Sequence, residues 1–475
     1  MSLTNIENAK GLPVEHRQTI EALLDVHRNV NARNEKLRNY YEGDIEPPSI
    51  GIDNLPDTVD VPMRCDWPRK AVTSVSERAR LDCFTFSGGE SDPTLTRIVR
   101  DNDLVGSYNR HVSSELMQGC MFATVNKRGN SAAVRFHTAE TAAGIWSVGE
   151  ARLDSGFAIA DARRTPWSPL VPVPVQVNMH VPGAVVVLTQ RESAMWHADV
   201  FETPLDRPLM ESFAFRPTGI KPFGSSRITK TVMDISDEVV RTLQNMAVAS
   251  ALYANPMKFL LGLTEEQYDE ISKKKNATAI GSMLLSTRDE DGNIPHFGQL
   301  QGSSPQPYIE AIRAYAALFS GATGVPLNSL GIVQDNPSSA EAIGAAREDI
   351  CIAAQDLIES NSVSLRNVAL MAMAVAEDKT IDQLTEHQQT VMAHFKDPKH
   401  PSIVSQADSM IKIASADPAF AATSVFYEQL GFDEATRDRI RSEKTKAANT
   451  AAVNALFGKS KEPANEGVTD DGDTA

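Results

Sequence analysis

Two strongly helical stretches, one closing at Thr323 and one opening at Ser338, are joined by an irregular segment within TGVPLNSLGIVQDNPSSAEAI, residues 323–343. Helix–helix connections usually take ~2–8 residues, and longer ones are mostly functional. Residues 324–337 therefore read as a working loop. Pro326 and Pro337 restrict its two ends, and Gly324 and Gly331 permit bends there. Val325 and Leu330 are among its apolar members, and Asn328, Gln334, Asp335 and Asn336 make its middle polar with a single charge. Ser338 and Glu341 match a capping box, a cap hydroxyl with a glutamate three residues on. From there to Ala376 no proline occurs. A continuous helix over that span would be ~58 Å long at 1.5 Å per residue.

The segments before the loop have an order of their own. Gly224-Ser225-Ser226 can cap a helix that ends near Asn255-Pro256. Ile228, Val232, Ile235 and Val239 recur at spacings of three and four and give it one apolar face. Residues 256–303 are mixed, with a polar helix (TEEQYDEISKKK), a strand (GSMLLST) and a turn at 289–293. Ser304-Pro305 starts a second helix, with Tyr308, Ile312, Tyr315 and Phe319 along one side.

Residues 1–225 read as an α+β domain. Helices are expected over 12–41, 66–80 and 102–121, the last closing at Gly119. FATVNK, AAVRFHT, GFAIADAR, VQVNMHV, AVVVLTQ and WHADVFE read as strands from their β-branched content and alternation. Residues 380–457 read as further helices, broken at Asp397-Pro398, Asp417-Pro418 and Gly431. Residues 458–475 have almost no large apolar side chain and read as a disordered acidic tail.

Composition narrows the function. With 46 Lys and Arg against 62 Asp and Glu, the formal net charge is −16. That opposes a tight grip on nucleic-acid phosphates, which takes a basic patch. Cys65, Cys83, Cys120 and Cys351 form no CxxC pair, so neither a disulfide framework nor a zinc site is expected. No signal-like N-terminus and no membrane-length apolar run is seen. Phosphate-loop, dinucleotide, HExxH and GxSxG signatures are all missing. Asp289, Glu290 and Asp291 with Gly292 resemble a calcium loop whose glycine is misplaced, so a turn is the better reading. No catalytic residue, metal or cofactor is expected.

The order of these pieces resembles the portal proteins of tailed bacteriophages, the head–tail connectors, especially the type found in phages of actinobacteria. Trp67-Pro68 with Val72, Val75 and Arg78 before CFTF, and the helix closing at Gly119 before MFATV, carry part of the likeness. GSSRITKTVMDISDEVVRTLQNMAVASALYANP, TGVPLNSLG followed by NPSSAEAI, FKDPKHPSIVSQADSMIKI and EQLGFDEA carry the rest. The resemblance implies an α+β portal fold with an α/β wing (1–225), two stem helices (226–255 and 304–323), and a small α/β clip (256–303). It further implies a tunnel loop (324–337), a long helix (338–379) and a helical crown (380–457). It implies a homo-oligomeric ring of about twelve subunits at one capsid vertex. Double-stranded DNA would pass non-specifically through the axis. Terminase large subunit, head–tail adaptor, and major capsid and scaffolding proteins would be partners. Ile294, His296 and Phe297 of the clip read as partner-binding. Two other readings are a different ring or minor capsid protein of a phage, and an acidic enzyme with the 323–339 loop as a lid and Asp335 as acid or base.

Overall fold

The computed structural model describes residues 3, 5–45, 63–165, 168–191, 195–254, 258–274, 283–287, 296–299, 304–332, 344, 347–399, 403–432 and 434–458. The chain divides into two compact units, Met1–Pro398 and Lys399–Ala475.

The first unit opens with α1 (Val14–Glu42), whose Ile20, Leu23, Leu24 and Leu37 are buried at helical spacing. Pro68 stands in the first turn of α2 (Trp67–Ser76). Strand β1 (Leu81–Thr85) follows, then α3 (Pro93–Asp101), capped by the Asp92 carboxylate accepting from Leu95 N at 2.9 Å. Helix α4 (Leu104–Gln118) leads into β2 (Cys120–Arg128) and β3 (Ser131–Thr138). Next come β4 (Ala142–Ser147), β5 (Arg152–Thr165), β6 (Ser168–Val181), β7 (Ala184–Gln190), β8 (Trp196–Glu202) and β9 (Met210–Ala214). They form a three-stranded sheet, β3-β2-β9, and an antiparallel five-stranded meander, β4-β5-β6-β7-β8. Each strand read from the sequence within 1–225 falls inside one of these. β4, β9 and α3 are additions: AAGIWS and MESFA have few β-branched residues to signal a strand.

A cavity of about 680 Å³ lies against both sheets. His137 and His180 line it. Thr124 Oγ1 and His137 Nε2 are 3.0 Å apart, whereas neither ring nitrogen of the buried His180 has a hydrogen-bond partner among the described residues. Burial holds both imidazoles neutral, His137 down to about 4 and His180 down to about 3.

Three chain segments cross where α4 ends. Phe215 N donates to Gly119 O at 3.0 Å, Ser225 N to Phe215 O at 2.9 Å, and Arg227 N to Leu116 O at 2.8 Å. Gly119 (φ 100°) closes α4 in the left-handed region, and a Cβ there would press to 3.3 Å from the Ser225–Ser226 backbone. Gly224 (φ 67°) lies so close that a Cβ would meet the Phe215 and Gly119 carbonyls. Both positions thus need glycine for conformation and for space.

Beyond this crossing comes α5 (Lys230–Ala254), then β10 (Lys258–Leu263), α6 (Glu265–Lys274), β11 (Met283–Thr287) and β12 (His296–Gln299). The strands form a small sheet in the order β11-β10-β12, parallel on one side and antiparallel on the other. Helix α7 (Gln306–Thr323) packs beside α5. The cap of α5 is Thr229, whose Oγ1 accepts from Val232 N at 3.3 Å. The Gly224-Ser225-Ser226 stretch makes the chain crossing instead, with Ser226 Oγ donating to Met117 O at 2.6 Å.

Of the long helix expected from residue 338, the structure describes α8 (Glu348–Glu377) and a helical Gly344; 338–343 lie outside the described residues. A turn at Arg347 precedes α8. Glu348 and Asp349 suit a helix N-terminus. The run 368–375 is buried throughout, as in a helix enclosed on all sides. It is the post of the α/β body, tied to β9 by Ser360 Oγ to Ala214 O (3.2 Å) and Ser364 Oγ to Ser212 O (3.0 Å). Its Asn361 meets α4 in a buried polar trio. Asn361 Nδ2 donates to Tyr108 Oη and to Glu115 Oε2, each at 2.7 Å. Glu115 Oε1 and Asn361 Oδ1 have no partner among the described residues.

After α9 (Glu386–Gln389), residues expected to be helical form β13 (Met392–Phe395), antiparallel to β1. The first unit therefore extends to Pro398, past the expected domain limit at 379. The second unit contains α10 (Ile403–Ala416), α11 (Ser424–Gln429) and α12 (Glu434–Gly458), with interruptions around the anticipated Asp417-Pro418 and Gly431. The tail expected over 458–475 lies, after Gly458, outside the described residues.

Candidate functional site: the helix pair and its junction

The helix pair α5/α7 is anchored at one end, and its apolar faces explain how. Ile228, Val232, Ile235 and Val239 are buried, and they belong to the same hydrophobic core as α2, α4 and α8. On α7, Phe319 is fully buried while Tyr308, Ile312 and Tyr315 are half-buried. Phe319 meets the Trp67 ring at 5.3 Å, so the early helix α2 and the end of α7 share one aromatic contact. Ile309 (38%) and Leu318 (61%) are exposed on the two flanks of the α7 stripe.

Arg227 locks this junction. Its Nε donates to Ala71 O and its Nη2 to Thr323 O, each at 2.6 Å. The guanidinium lies 6.0 Å from the Phe215 ring centroid. Burial lowers its pKa to about 10, which leaves it charged at neutral pH. A cation on the last carbonyl of α7 also suits the negative end of that helix. No local pattern marked Arg227, because its acceptors lie 156 and 96 residues away.

The loop after α7 begins rigidly. Gly324 (φ 73°) closes α7 by donating to Ser320 O at 2.8 Å. A Cβ on it would stand 2.8 Å from Asp349 Cβ. Val325 is fully buried, and its N–H donates to Thr323 Oγ1 at 3.2 Å. After Pro326 the chain winds into a 3₁₀ turn, Leu327–Leu330, that includes Asn328 and ends at Gly331 (φ 83°). Leu330 packs against the main core. Val325 and Leu330 thus tie the described part of this loop, 324–332, to the core. With α2, α5 and α7 this turn bounds a cleft of about 610 Å³, lined by Arg64, Arg69, Lys70 and Ile312 among others. Gln334, Asp335, Asn336, Ser338 and Glu341 lie outside the described residues. So does Ile294, and so do Asp289, Glu290, Asp291 and Gly292. His296 and Phe297 stand in β12, paired in register with Leu261 and Leu260.

An α/β body carrying a helix pair with a small sheet between its helices is what the sequence resemblance led one to expect, and comparison with known proteins gives the class: the chain is similar to phage portal proteins. It is 22% identical to the portal protein of Mycobacterium phage L5 over 454 residues, covering 86% of this chain and 84% of that one. It is 21% identical to the portal protein of Mycobacterium phage D29 over 446 residues, covering 89% and 87%. Among solved structures, a chain in the neck of a native GTA particle with C12 symmetry matches at a TM-score of 0.41, with 15% identity over 77% of this chain and 89% of that one. A chain in the neck of an empty GTA particle with C6 symmetry matches at 0.40, with 13% identity over 77% and 90%. No protein-family model matches. Among the described residues no helix is long and apolar enough to cross a membrane.

Proposed function

We propose that this chain is a portal subunit and that about twelve copies close into a ring at one capsid vertex. The observation that carries the proposal is the similarity to two mycobacteriophage portal proteins along more than four-fifths of each chain. In this reading residues 1–225 with α8 are the wing, α5 and α7 the stem, and 256–303 the clip. The clip, with His296 and Phe297 in its edge strand β12, is where terminase and a head–tail adaptor dock. Exposed Ile309 and Leu318 on α7, and Ile352 and Val363 on α8, supply apolar surface for neighbouring subunits.

DNA passes along the ring axis without sequence readout. In this reading residues 324–337 are the tunnel loop that meets the duplex. A net charge of −16 keeps phosphates from adhering, although salt screens it beyond ~10 Å. Shortening 332–336 should leave rings intact yet impair packaging or retention of DNA in assembled heads. Replacing Gln334 and Asp335 with arginine should slow passage by adding phosphate contacts. Wild-type packaged length and rate in both variants would show that this segment does not meet DNA.

A further inference from the structure

The seam between β1 and β13 brings together three metal-ligating side chains that lie far apart in sequence. Cys83 pairs directly with His394, and Leu81 pairs with Phe395. Two steps on β1 therefore match one on β13, so Asp82 is an extra residue in a β-bulge. In a regular strand Asp82 and Cys83 would face opposite sides. The bulge lets both reach the same one. As a result the Asp82 carboxylate, the Cys83 thiol and a His394 ring nitrogen lie within 4.8 Å of one another. His394 Nδ1 is 3.8 Å from Asp82 Oδ2, and Lys396 Nζ is 3.8 Å from the other oxygen, Oδ1. Histidine and lysine thus approach different oxygens of the one carboxylate.

We infer that Asp82, Cys83 and His394 form a site for a divalent transition-metal ion, zinc above others. A thiolate, an imidazole and a carboxylate suit borderline-soft Zn²⁺ and do not suit magnesium or calcium, which take oxygen sets. Zinc bonds of ~2.0–2.3 Å need the three atoms to close by about 1 Å, which is within side-chain rotation. The thiol releases its proton to solvent on binding, and the two anionic ligands then balance the ion's charge. Cys83 is buried and Asp82 nearly so, while the His394 side chain, 31% exposed, leaves a path for entry and for water as fourth ligand. The ion would fasten β13 to a strand 311 positions earlier (394 − 83). That pairing is short, with β13 only four residues long, and two-stranded pairings of this kind are weak by themselves.

The test uses the full chain after chelator treatment, titrated with Zn²⁺ alone and then with Co²⁺. One Zn²⁺ per chain should bind and raise the melting temperature saturably. Co²⁺ should give thiolate charge-transfer absorption. Cys83→Ser should abolish that absorption, and His394→Ala should lose the thermal shift. Asp82→Asn should weaken binding by about tenfold or more, at least what loss of an outer-shell partner costs. Circular dichroism confirms that each variant is folded, and the half-exposed His394→Ala decides the matter if Cys83→Ser is not. No thermal shift and no thiolate absorption in the wild type, or equal binding by wild type and His394→Ala, would overturn the site.

Discussion

Replacing Glu115 with glutamine should stabilise the protein, and more so as pH rises. Glu115 is fully buried between α4 and α8. One carboxyl oxygen accepts from Asn361 at 2.7 Å, and the other has no partner among the described residues. Burial raises its pKa from 4.5 to about 8, with the Asn361 hydrogen bond opposing weakly. The folded chain therefore keeps this proton where the unfolded chain has lost it. Its stabilising effect is complete below about pH 4.5 and is lost progressively up to about pH 8. The loss runs at up to ~1.4 kcal/mol per pH unit, or roughly 3 kcal/mol by pH 7. Glutamine preserves the shape and the acceptor for Asn361 without a charge. Urea unfolding of both proteins at pH 5, 6, 7 and 8, at one protein concentration, reads the difference directly. The variant's advantage should be small at pH 5 and reach a few kcal/mol by pH 8. A difference that does not change with pH, or a variant less stable throughout, would refute the reasoning.

Arg227→Ala should destabilise by roughly 3 kcal/mol, because it strands two carbonyls and opens the Phe215 contact; denaturant midpoints check this. Acid should weaken the fold through His180. Its pKa is held down by burial, so the unfolded chain takes up the proton first as pH falls below 6.5, and the loss continues to about pH 3. His180→Leu should remove about 2 kcal/mol of that loss at pH 5, measured as the change in wild-type-minus-variant stability between pH 7 and pH 5. Leu318→Lys, at an exposed position on α7, should leave the melting temperature of the unassembled chain nearly unchanged while reducing assembly, as read by native mass spectrometry.

Where apolar periodicity is strong, the sequence was legible. Ile20, Leu23 and Leu24 marked α1, Val232, Ile235 and Val239 marked α5, and the β-branched run 184–190 marked β7. Gly119 was legible as a helix end because its conformation has few substitutes. Weaker signals failed for physical reasons. β9 and β13 are stabilised by partners, β2 and β1, that lie remote in sequence, so Met210–Ala214 and Met392–Phe395 carry little local signature. The turn at Arg347 that precedes α8 carried no recognisable local signature, since arginine is an ordinary helix former. At the junction, Phe319 was legible as one face of a helix, but its contact with Trp67 and the Arg227 hydrogen bonds exist only once three distant segments meet. Likewise, Asp82, Cys83 and His394 converge through one bulge, which spacing does not reveal.

In the proposed function, copies of this chain close into a ring. Native mass spectrometry of the purified full-length chain, paired with negative-stain microscopy of the same sample, tests it most directly. Closed rings of about twelve subunits with an axial hole, formed without any added cofactor, are the expected result. A monodisperse monomer at micromolar concentration across several salt conditions would contradict it.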